Sequence, residues 1–194
     1  CGDLFPPGRG RFRVCEHGQA AMRLSPYSCF NLVGASQVGK SSLTGMRVLH
    51  RLRGLGFTAR VYEAGGGVGG TWYWNRYPGA RCDVESLQYS FSFSEELDQE
   101  WSWSEKYSPQ PEILAYANHV ADRFDLRSQI VFDTRVAAAT FDEADGTWLI
   151  ETDRGDRVTA KFCIMAVGCL SAPNRPNFRG MKNFRGPIYH TGEW

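Results

Sequence analysis

The spacing of apolar residues predicts a helix between two short strands near the start of the chain. Apolar positions three residues apart mark the helix, and glycines at 54 and 56 end it: Leu43, Met46, Leu49, Leu52. Apolar runs stand on both sides of it, CFNLV at 29–33 and TARVYE at 58–63. The order strand, glycine-bearing turn, helix, strand predicts one βαβ unit.

Further along the chain the period changes. Apolar residues at helical spacing predict an amphipathic helix from Pro111 to Leu126. Alternating residues then predict strands between 129 and 162, with tight turns at Asp145-Gly146 and Arg154-Gly155. The run FCIMAVG at 162–168 is apolar throughout, which is typical of a strand buried on both faces. The whole pattern predicts an α/β fold, with a parallel sheet flanked by helices.

Composition narrows the class of protein. Residues 1–28 are rich in Gly, Pro and Arg without periodicity, so we leave them unassigned and expect them to be disordered or extraneous; residues 29–194 form the predicted domain. A net charge of +1 and no apolar run of membrane-spanning length give no case for nucleic acid or membrane partners. Six cysteines without zinc spacing predict reduced thiols in a cytoplasmic protein and no metal site.

The stretch NLVGASQVGKSSLTG at 31–45 fits two nucleotide-binding patterns. Gly34, Gly39, Lys40 and Ser41 spell the P-loop of ATPases and GTPases, in which backbone amides and the lysine hold phosphates. Gly34 and Gly39 also spell the dinucleotide-binding turn GxGxxG, with Ser36 in place of its middle glycine. The residues that follow the stretch decide between the two patterns.

A P-loop protein needs a second strand that ends in an aspartate supporting the metal, and Asp133 is only a faint candidate. A dinucleotide site needs an acidic residue about 20 residues beyond the glycines to accept hydrogen bonds from ribose hydroxyls. Glu63 ends the predicted strand at that distance, and a glycine-rich run follows it. These features favour a dinucleotide site, and a P-loop module using Gly34 to Ser41 stays as the alternative.

The segment EAGGGVGGTWYWNRYPGARCDVES at 63–86 closely resembles the flavin-binding segment of Baeyer–Villiger monooxygenases. The resemblance continues to the end of the chain, where FRGPIYHTGEW matches the family fingerprint F-x-G-x-x-x-H-T-x-x-W at Phe184, Gly186, His190, Thr191 and Trp194. Related flavin monooxygenases that oxidise soft nucleophiles carry Tyr instead of Trp at the last of these positions. The resemblance covers about residues 45–194.

The resemblance implies a Rossmann-like FAD-binding domain with an antiparallel β-meander crossover, ending before the NADP domain. In the family register Gly45 is the third glycine of the turn, and Lys40 and Ser42 stand where the first two belong. Counting from Gly34 instead gives GASQVG and a helix six residues longer. Both registers stay open at this point.

The resemblance also implies roles for individual residues. Glu63 would hold the adenosine ribose of FAD, and Val136 would contact the adenine through its backbone. The implied FAD-binding residues are Gly34, Gly39, Gly45, Glu63, Gly69, Gly70, Thr71, Trp72, Asp83, Tyr89, Val136, Ala166 and Gly168. Those implied to face NADP are Arg81, Cys82 and Asp83, of which Arg81 and Asp83 would support catalysis. His190 would have a conformational role.

The implied activity is that of the family. NADPH reduces FAD, and one oxygen atom from O2 is inserted into a ketone to give an ester or lactone. The alternative is an N- or S-oxidising flavin monooxygenase, against which Thr191 and Trp194 count. The family's main catalytic arginine and its NADP domain are not in these 194 residues, so we expect this chain alone to form no lactone.

Overall fold

A computed structural model describes residues 40–168, 170 and 173–194 of the chain. Its helices are α1 Lys40–Gly54, α2 Thr71–Trp74, α3 Glu95–Glu100 and α4 Gln110–Arg123, with 3-10 turns at Ser86–Tyr89, Arg127–Gln129, Met181–Asn183 and Thr191–Glu193. Its strands are β1 Val61–Tyr62, β2 Ile130–Val131, β3 Val136–Asp142, β4 Thr147–Thr152 and β5 Arg157–Ala160. No helix within these described ranges is long and apolar enough to cross a membrane.

Helix α1 and strand β1 confirm the second half of the predicted βαβ unit. Gly56 ends the helix in a left-handed conformation with φ of 80°, and Phe57 N–H donates to the Leu52 carbonyl at 3.0 Å. This arrangement satisfies the last helical carbonyls and turns the chain towards β1. Strand β1 pairs in parallel with β2, as expected of an α/β fold. The predicted strand at 29–33 lies outside the described residues.

The core is built around α4, which confirms the predicted amphipathic helix. Its inner face is fully buried at spacings of three and four residues: Ile113, Tyr116, Ala117, Val120, Ala121. Pro111 lies in the first turn, where its missing N–H costs nothing. The short helix α3, which the sequence pattern did not predict, adds Leu97 to this core and is capped by Ser94.

Strands β3, β4 and β5 form an antiparallel sheet in chain order. Both predicted turns are confirmed, because Gly146 and Gly155 adopt positive φ values of 64° and 86° between adjacent strands. Ladder pairing runs from Asp142↔Thr147 along β3 and β4 and from Glu151↔Arg157 along β4 and β5. This sheet is the predicted meander between residues 130 and 160.

The predicted buried strand at 162–168 is wrong for the described part of the structure. This run contains no strand, and its apolar side chains other than the half-buried Cys163 are exposed, with Met165 at 71% and Val167 at 66%. A strand buried on both faces needs a ladder partner and covering helices. No described strand pairs with these residues, so their apolar pattern alone does not bury them.

Candidate functional site

Glu63 follows directly on β1, at the carboxyl end of the parallel pair. Its backbone carbonyl accepts from Thr134 N–H at 2.9 Å, which ties it to the end of β2. Its side chain turns onto the glycine-rich loop, where Oε1 accepts from Gly65 N–H at 2.7 Å. Ligands of α/β sheets bind at the carboxyl ends of parallel strands, so Glu63 stands where a ligand is expected.

The glycine-rich loop after Glu63 packs against the ring of Tyr73. A Cβ placed on Gly65 or on Gly67 would lie 2.9 Å from that ring, closer than carbon atoms pack. Gly69 has a φ of 119°, and a Cβ there would meet the Leu114 side chain at 2.6 Å. The loop therefore needs glycine both for close contact and for backbone conformation.

Trp72 and Tyr89 form the inner wall next to this loop. Both are buried, and their rings meet edge to face with centroids 5.8 Å apart. Burial, followed by the nearby Cys82 and Asp83, raises the pKa of Tyr89 well above its usual range. The Trp72 indole N–H has no hydrogen-bond partner among the described residues. The Trp72 side chain acts in the opposite direction and lowers the pKa of Tyr89, as the smallest of these causes.

Arg81 and Asp83 are both exposed, and buried Cys82 lies between them, as alternation along an extended segment requires. Burial raises the pKa of the Cys82 thiol, which disfavours the thiolate form. Arg81 is paired with the Glu105 carboxylate. Arg81 and Asp83 thus share one side of the segment.

Two open cavities adjoin this segment. The first, of about 300 Å³, is lined by Arg76, Tyr77, Pro78, Gly79, Ala80, Arg81, Pro109, Gln110 and Pro111. The second, of about 240 Å³, is lined by Thr71, Trp72, Asn75, Tyr77, Ala80, Arg81, Asp83 and Leu170. Four implied site residues, Thr71, Trp72, Arg81 and Asp83, therefore meet at the second cavity.

Most of the remaining implied site residues lie in other parts of the described chain. Ala166 packs against α1, with its Cβ 3.6 Å from where a Cβ on Gly45 would stand. Val136 begins β3 and is 39% exposed. Gly70 precedes α2 with a φ of 51°, and Gly168 has a φ of 71°. Gly34 and Gly39 lie outside the described residues.

The five fingerprint residues lie in the last segment of the chain, at residues 184–194. His190 Nδ1 accepts from Gly192 N–H at 3.1 Å, and Nε2 lies 3.3 Å from the Asn174 carbonyl. A neutral ring with its proton on Nε2 satisfies both contacts. Phe184 and Trp194 are exposed, and a Cβ on Gly186 would meet the Phe184 ring at 2.7 Å. Thr191 opens the last 3-10 turn.

Comparisons with known proteins show which proteins this chain is similar to. No family model matches the chain. A Baeyer–Villiger monooxygenase from Pseudooceanicola batsensis is 48% identical over 151 residues, which cover 77% of this chain and 28% of that protein. The chain belongs to the Baeyer–Villiger monooxygenase family. A phenazine N-monooxygenase from Lysobacter antibioticus is 43% identical over 155 residues, covering 79% of this chain and 29% of that protein.

Solved structures of Baeyer–Villiger monooxygenases and similar proteins share the fold. Oxidized steroid monooxygenase bound to NADP matches with a TM-score of 0.71 and 61% identity, over 77% of this chain and 29% of that one. OTEMO in complex with FAD and NADP matches with a TM-score of 0.72 and 41% identity, over 78% of this chain and 29% of that one. The chain thus spans less than a third of the length of these proteins.

The structure also adds residues that the sequence interpretation missed. Asn75, Tyr77 and Ala80 line the second cavity, although no motif singled them out. Glu105 contacts Arg81 from 24 residues away. That pairing has no sequence signal, because a long-range contact between two irregular segments leaves no periodicity. No group of three or more metal-binding side chains occurs among the residues that the structure covers.

Proposed function

We propose that this chain is the FAD-binding part of an NADPH-dependent Baeyer–Villiger monooxygenase, which inserts one oxygen atom from O2 into a ketone to give an ester or lactone. The observation that carries the proposal is the position of Glu63 at the carboxyl end of β1. One of its carboxylate oxygens accepts from Gly65, and the other makes no hydrogen bond to any described residue. That second oxygen suits a ribose hydroxyl.

Further features of the site suit FAD. The buried Trp72 N–H needs an acceptor, because an unpaired buried donor costs free energy. A flavin ring carries carbonyl and ring-nitrogen acceptors that would meet this need. Gly70, directly before α2, has no side chain and a φ of 51°, which suits the close approach of a ligand to the backbone. These residues therefore fit the cofactor that the family uses.

In the proposed reaction FAD supplies the transfer of electrons from NADPH and the activation of oxygen. Glu63 would bind the ribose of this cofactor and hold it in place. Trp72 and Tyr89 would pack near the flavin and exclude water, which would protect reactive species from hydrolysis. Arg81 and Asp83 place opposite charges at the second cavity, where they would orient the nicotinamide cofactor and ketone.

We also propose that residues 29–194 form one Rossmann-like domain. The parallel β1–β2 pair, helix α1 and the antiparallel sheet of β3, β4 and β5 support this. In that arrangement Val136 and Glu63 both contact the adenosine end of FAD. Asp133 N–H donates to the Gly65 carbonyl at 3.1 Å, which links the glycine loop to the start of the Val136 segment.

The first test is FAD binding by the purified chain, followed by quenching of flavin fluorescence. We expect saturable binding that Glu63→Gln weakens roughly tenfold or more, since charged hydrogen bonds contribute about 1.5–3 kcal/mol each. The matched control is Glu143→Gln, an exposed carboxylate in the β3–β4 connection, which should leave binding unchanged. Absence of binding with excess FAD would contradict the proposal. Stabilisation by ATP or GTP that Lys40→Ala abolishes would favour the P-loop alternative.

The second test is the reaction itself. The complete protein with FAD, NADPH and O2 is offered a cyclic ketone, a tertiary amine and a thioether, and products are identified by mass spectrometry. A lactone from the ketone is the expected product. Formation of an N-oxide or sulfoxide without any lactone would support the N- or S-oxidising alternative instead.

A further inference from the structure

Two segments of the chain lie side by side, and both contribute residues to the wall of the first cavity. Residues 80–86 carry Arg81 and Asp83, and residues 104–110 connect the aromatic core to α4. Three backbone hydrogen bonds join the two segments: Gln110 N–H to the Ala80 carbonyl at 2.8 Å, Cys82 N–H to Ser108 at 3.1 Å and Ser86 N–H to Lys106 at 2.8 Å. The second segment therefore determines the position of the first.

Buried hydroxyls reinforce this pairing. Ser86 Oγ donates to the Glu105 carbonyl at 2.7 Å and lies 2.8 Å from Ser108 Oγ. Ser108 N–H in turn donates to Ser86 Oγ at 2.8 Å. Both serines are almost completely buried. Because buried polar groups with satisfied hydrogen bonds have one arrangement, the backbone on both sides of Glu105 is held in place.

Arg81 reaches across the pairing to this held segment. Its Nη1 donates both to the Glu105 carboxylate and to the Tyr107 carbonyl. The side chains of Arg81 and Glu105 are 44% and 50% exposed, so their attraction contributes little to folding. Arginine has many rotamers, and two acceptors on one guanidinium nitrogen select among them. The main effect of the contact is therefore to fix the direction in which the Arg81 guanidinium points.

That direction matters because of what Arg81 lines. Arg81 belongs to the walls of both cavities, together with Tyr77 and Ala80. Glu105 lines neither cavity. A ligand in the second cavity would meet the guanidinium of Arg81 and the carboxylate of Asp83, and it would not meet Glu105. Any effect of Glu105 on such a ligand passes through Arg81.

We propose that Glu105 is a positioning residue for the nicotinamide cofactor, acting through Arg81. This inference rests on the proposed function, in which Arg81 faces NADPH. Glu105 and the Tyr107 carbonyl hold the guanidinium at the wall between the cavities, so that the nicotinamide meets it in one orientation. Without the carboxylate, Arg81 samples other rotamers and hydride transfer to FAD slows.

The test is the anaerobic reduction of flavin by NADPH in the complete protein loaded with FAD, followed by stopped-flow absorbance. We expect Glu105→Gln to slow reduction at saturating NADPH by about tenfold, with FAD content and the unfolding midpoint unchanged. Glu105→Asp should restore part of the rate. In an Arg81→Gln background Glu105→Gln should cause no further loss, because the two residues act as a unit.

The matched control is Glu85→Gln. Glu85 forms an ion pair with Lys106 at 2.9 Å that joins the same two segments, but neither residue lines a cavity. Its reduction rate should equal that of the parent. A parental rate in Glu105→Gln, or an equal loss in Glu85→Gln, would overturn this inference alone. A parent protein that binds no FAD, or that NADPH does not reduce, would overturn the proposed function and this inference with it.

Discussion

Helix α4 and the segment 161–194 are both rich in apolar residues, but those of the helix are largely buried and those of the later segment are largely exposed. Ile113, on α4, is 0% exposed and packs within a continuous core of aromatic and aliphatic side chains. Ile164, in the later segment, is 49% exposed, and Tyr189 is 71% exposed. The first region has a regular helix with neighbours on every side of its apolar face, and the second has no described strand or α-helix.

The difference shows that apolar sequence becomes core only where partner segments surround it. Around α4 the partners come from separate parts of the chain: α1, the glycine loop, the 86–93 segment and α3. Aromatic rings dominate the contact, as between Tyr116 and Trp103 with centroids 5.0 Å apart. Residues 161–168 have the composition of core, but apart from the contact of Ala166 with α1 the described residues leave most of their apolar side chains exposed. Three pairs of substitutions and one single substitution separate the two regions experimentally.

The largest expected difference is between Ile113→Ala and Ile164→Ala. Deleting a fully buried isoleucine side chain leaves a cavity, so Ile113→Ala should lower the free energy of unfolding by about 2–5 kcal/mol. Ile164→Ala should change it by less than about 0.5 kcal/mol, because half of the side chain already contacts water. Urea denaturation of the two variants measures both values. Equal losses would mean that the 161–168 segment is packed in solution.

Gly69→Ala and Gly180→Ala form the next pair. Both glycines have positive φ, so both substitutions carry backbone strain of about 1–2 kcal/mol. Gly69→Ala should cost about 1–3 kcal/mol more, because its methyl group would overlap the Leu114 side chain. A Cβ on Gly180 meets no atom within 4 Å. Thermal unfolding of the two variants tests whether the loop before α2 is as tightly packed in solution as it is in the structure.

A single hydroxyl distinguishes the third pair. Tyr116 Oη accepts from Phe91 N–H at 2.8 Å in the core, so Tyr116→Phe should leave that donor unpaired and cost about 1–3 kcal/mol. Tyr189→Phe keeps its ring contact with Trp194 and removes an exposed hydroxyl, so the stability should stay within about 0.5 kcal/mol. Chemical denaturation at neutral pH compares the two. A neutral Tyr116→Phe would show that water replaces the lost acceptor.

The smallest effect concerns the exposed Arg175–Glu193 ion pair near the end of the chain. The Arg175 guanidinium lowers the pKa of the Glu193 carboxyl below 4.5. Because the folded pKa is lowered, the contribution of the pair is present at neutral pH and is lost as pH falls through that lowered value. Arg175→Gln should return the Glu193 titration, followed by NMR, towards 4.5. An unchanged titration would mean that the pair does not form in solution.

The sequence pattern predicted those elements that depend on residues close to one another in the chain. Helices α1 and α4 and the two glycine turns of the antiparallel sheet follow from periodicity and turn residues, and Glu63 follows from its spacing to the glycines. Helix α3 was missed, although Ser94 followed by Glu95 and Glu96 is a helix-start signal. The prediction of a buried strand at 162–168 was wrong. An apolar run indicates that residues can be buried, but it does not identify the neighbours that bury them.

The residues of the candidate site also fall into two groups, those with a local sequence signal and those without one. Trp72, Arg81 and Asp83 were found through motifs, and the structure brings them to one cavity. Glu105 was not found, because its relation to Arg81 depends on two irregular segments meeting in space. Hydrogen bonds through buried Ser86 and Ser108 create that meeting, and serine in a loop has no distinctive signature.

The place of Arg81 in two cavity walls has a thermodynamic consequence. One side chain that borders two spaces cannot change its rotamer for one without changing the shape of the other. Ligands that bound in both cavities would therefore be linked through it, and such linkage is reciprocal: whatever factor the first ligand imposed on the affinity of the second, the second would impose on the first. The sign of that cooperativity follows from whether both ligands prefer the same arginine rotamer.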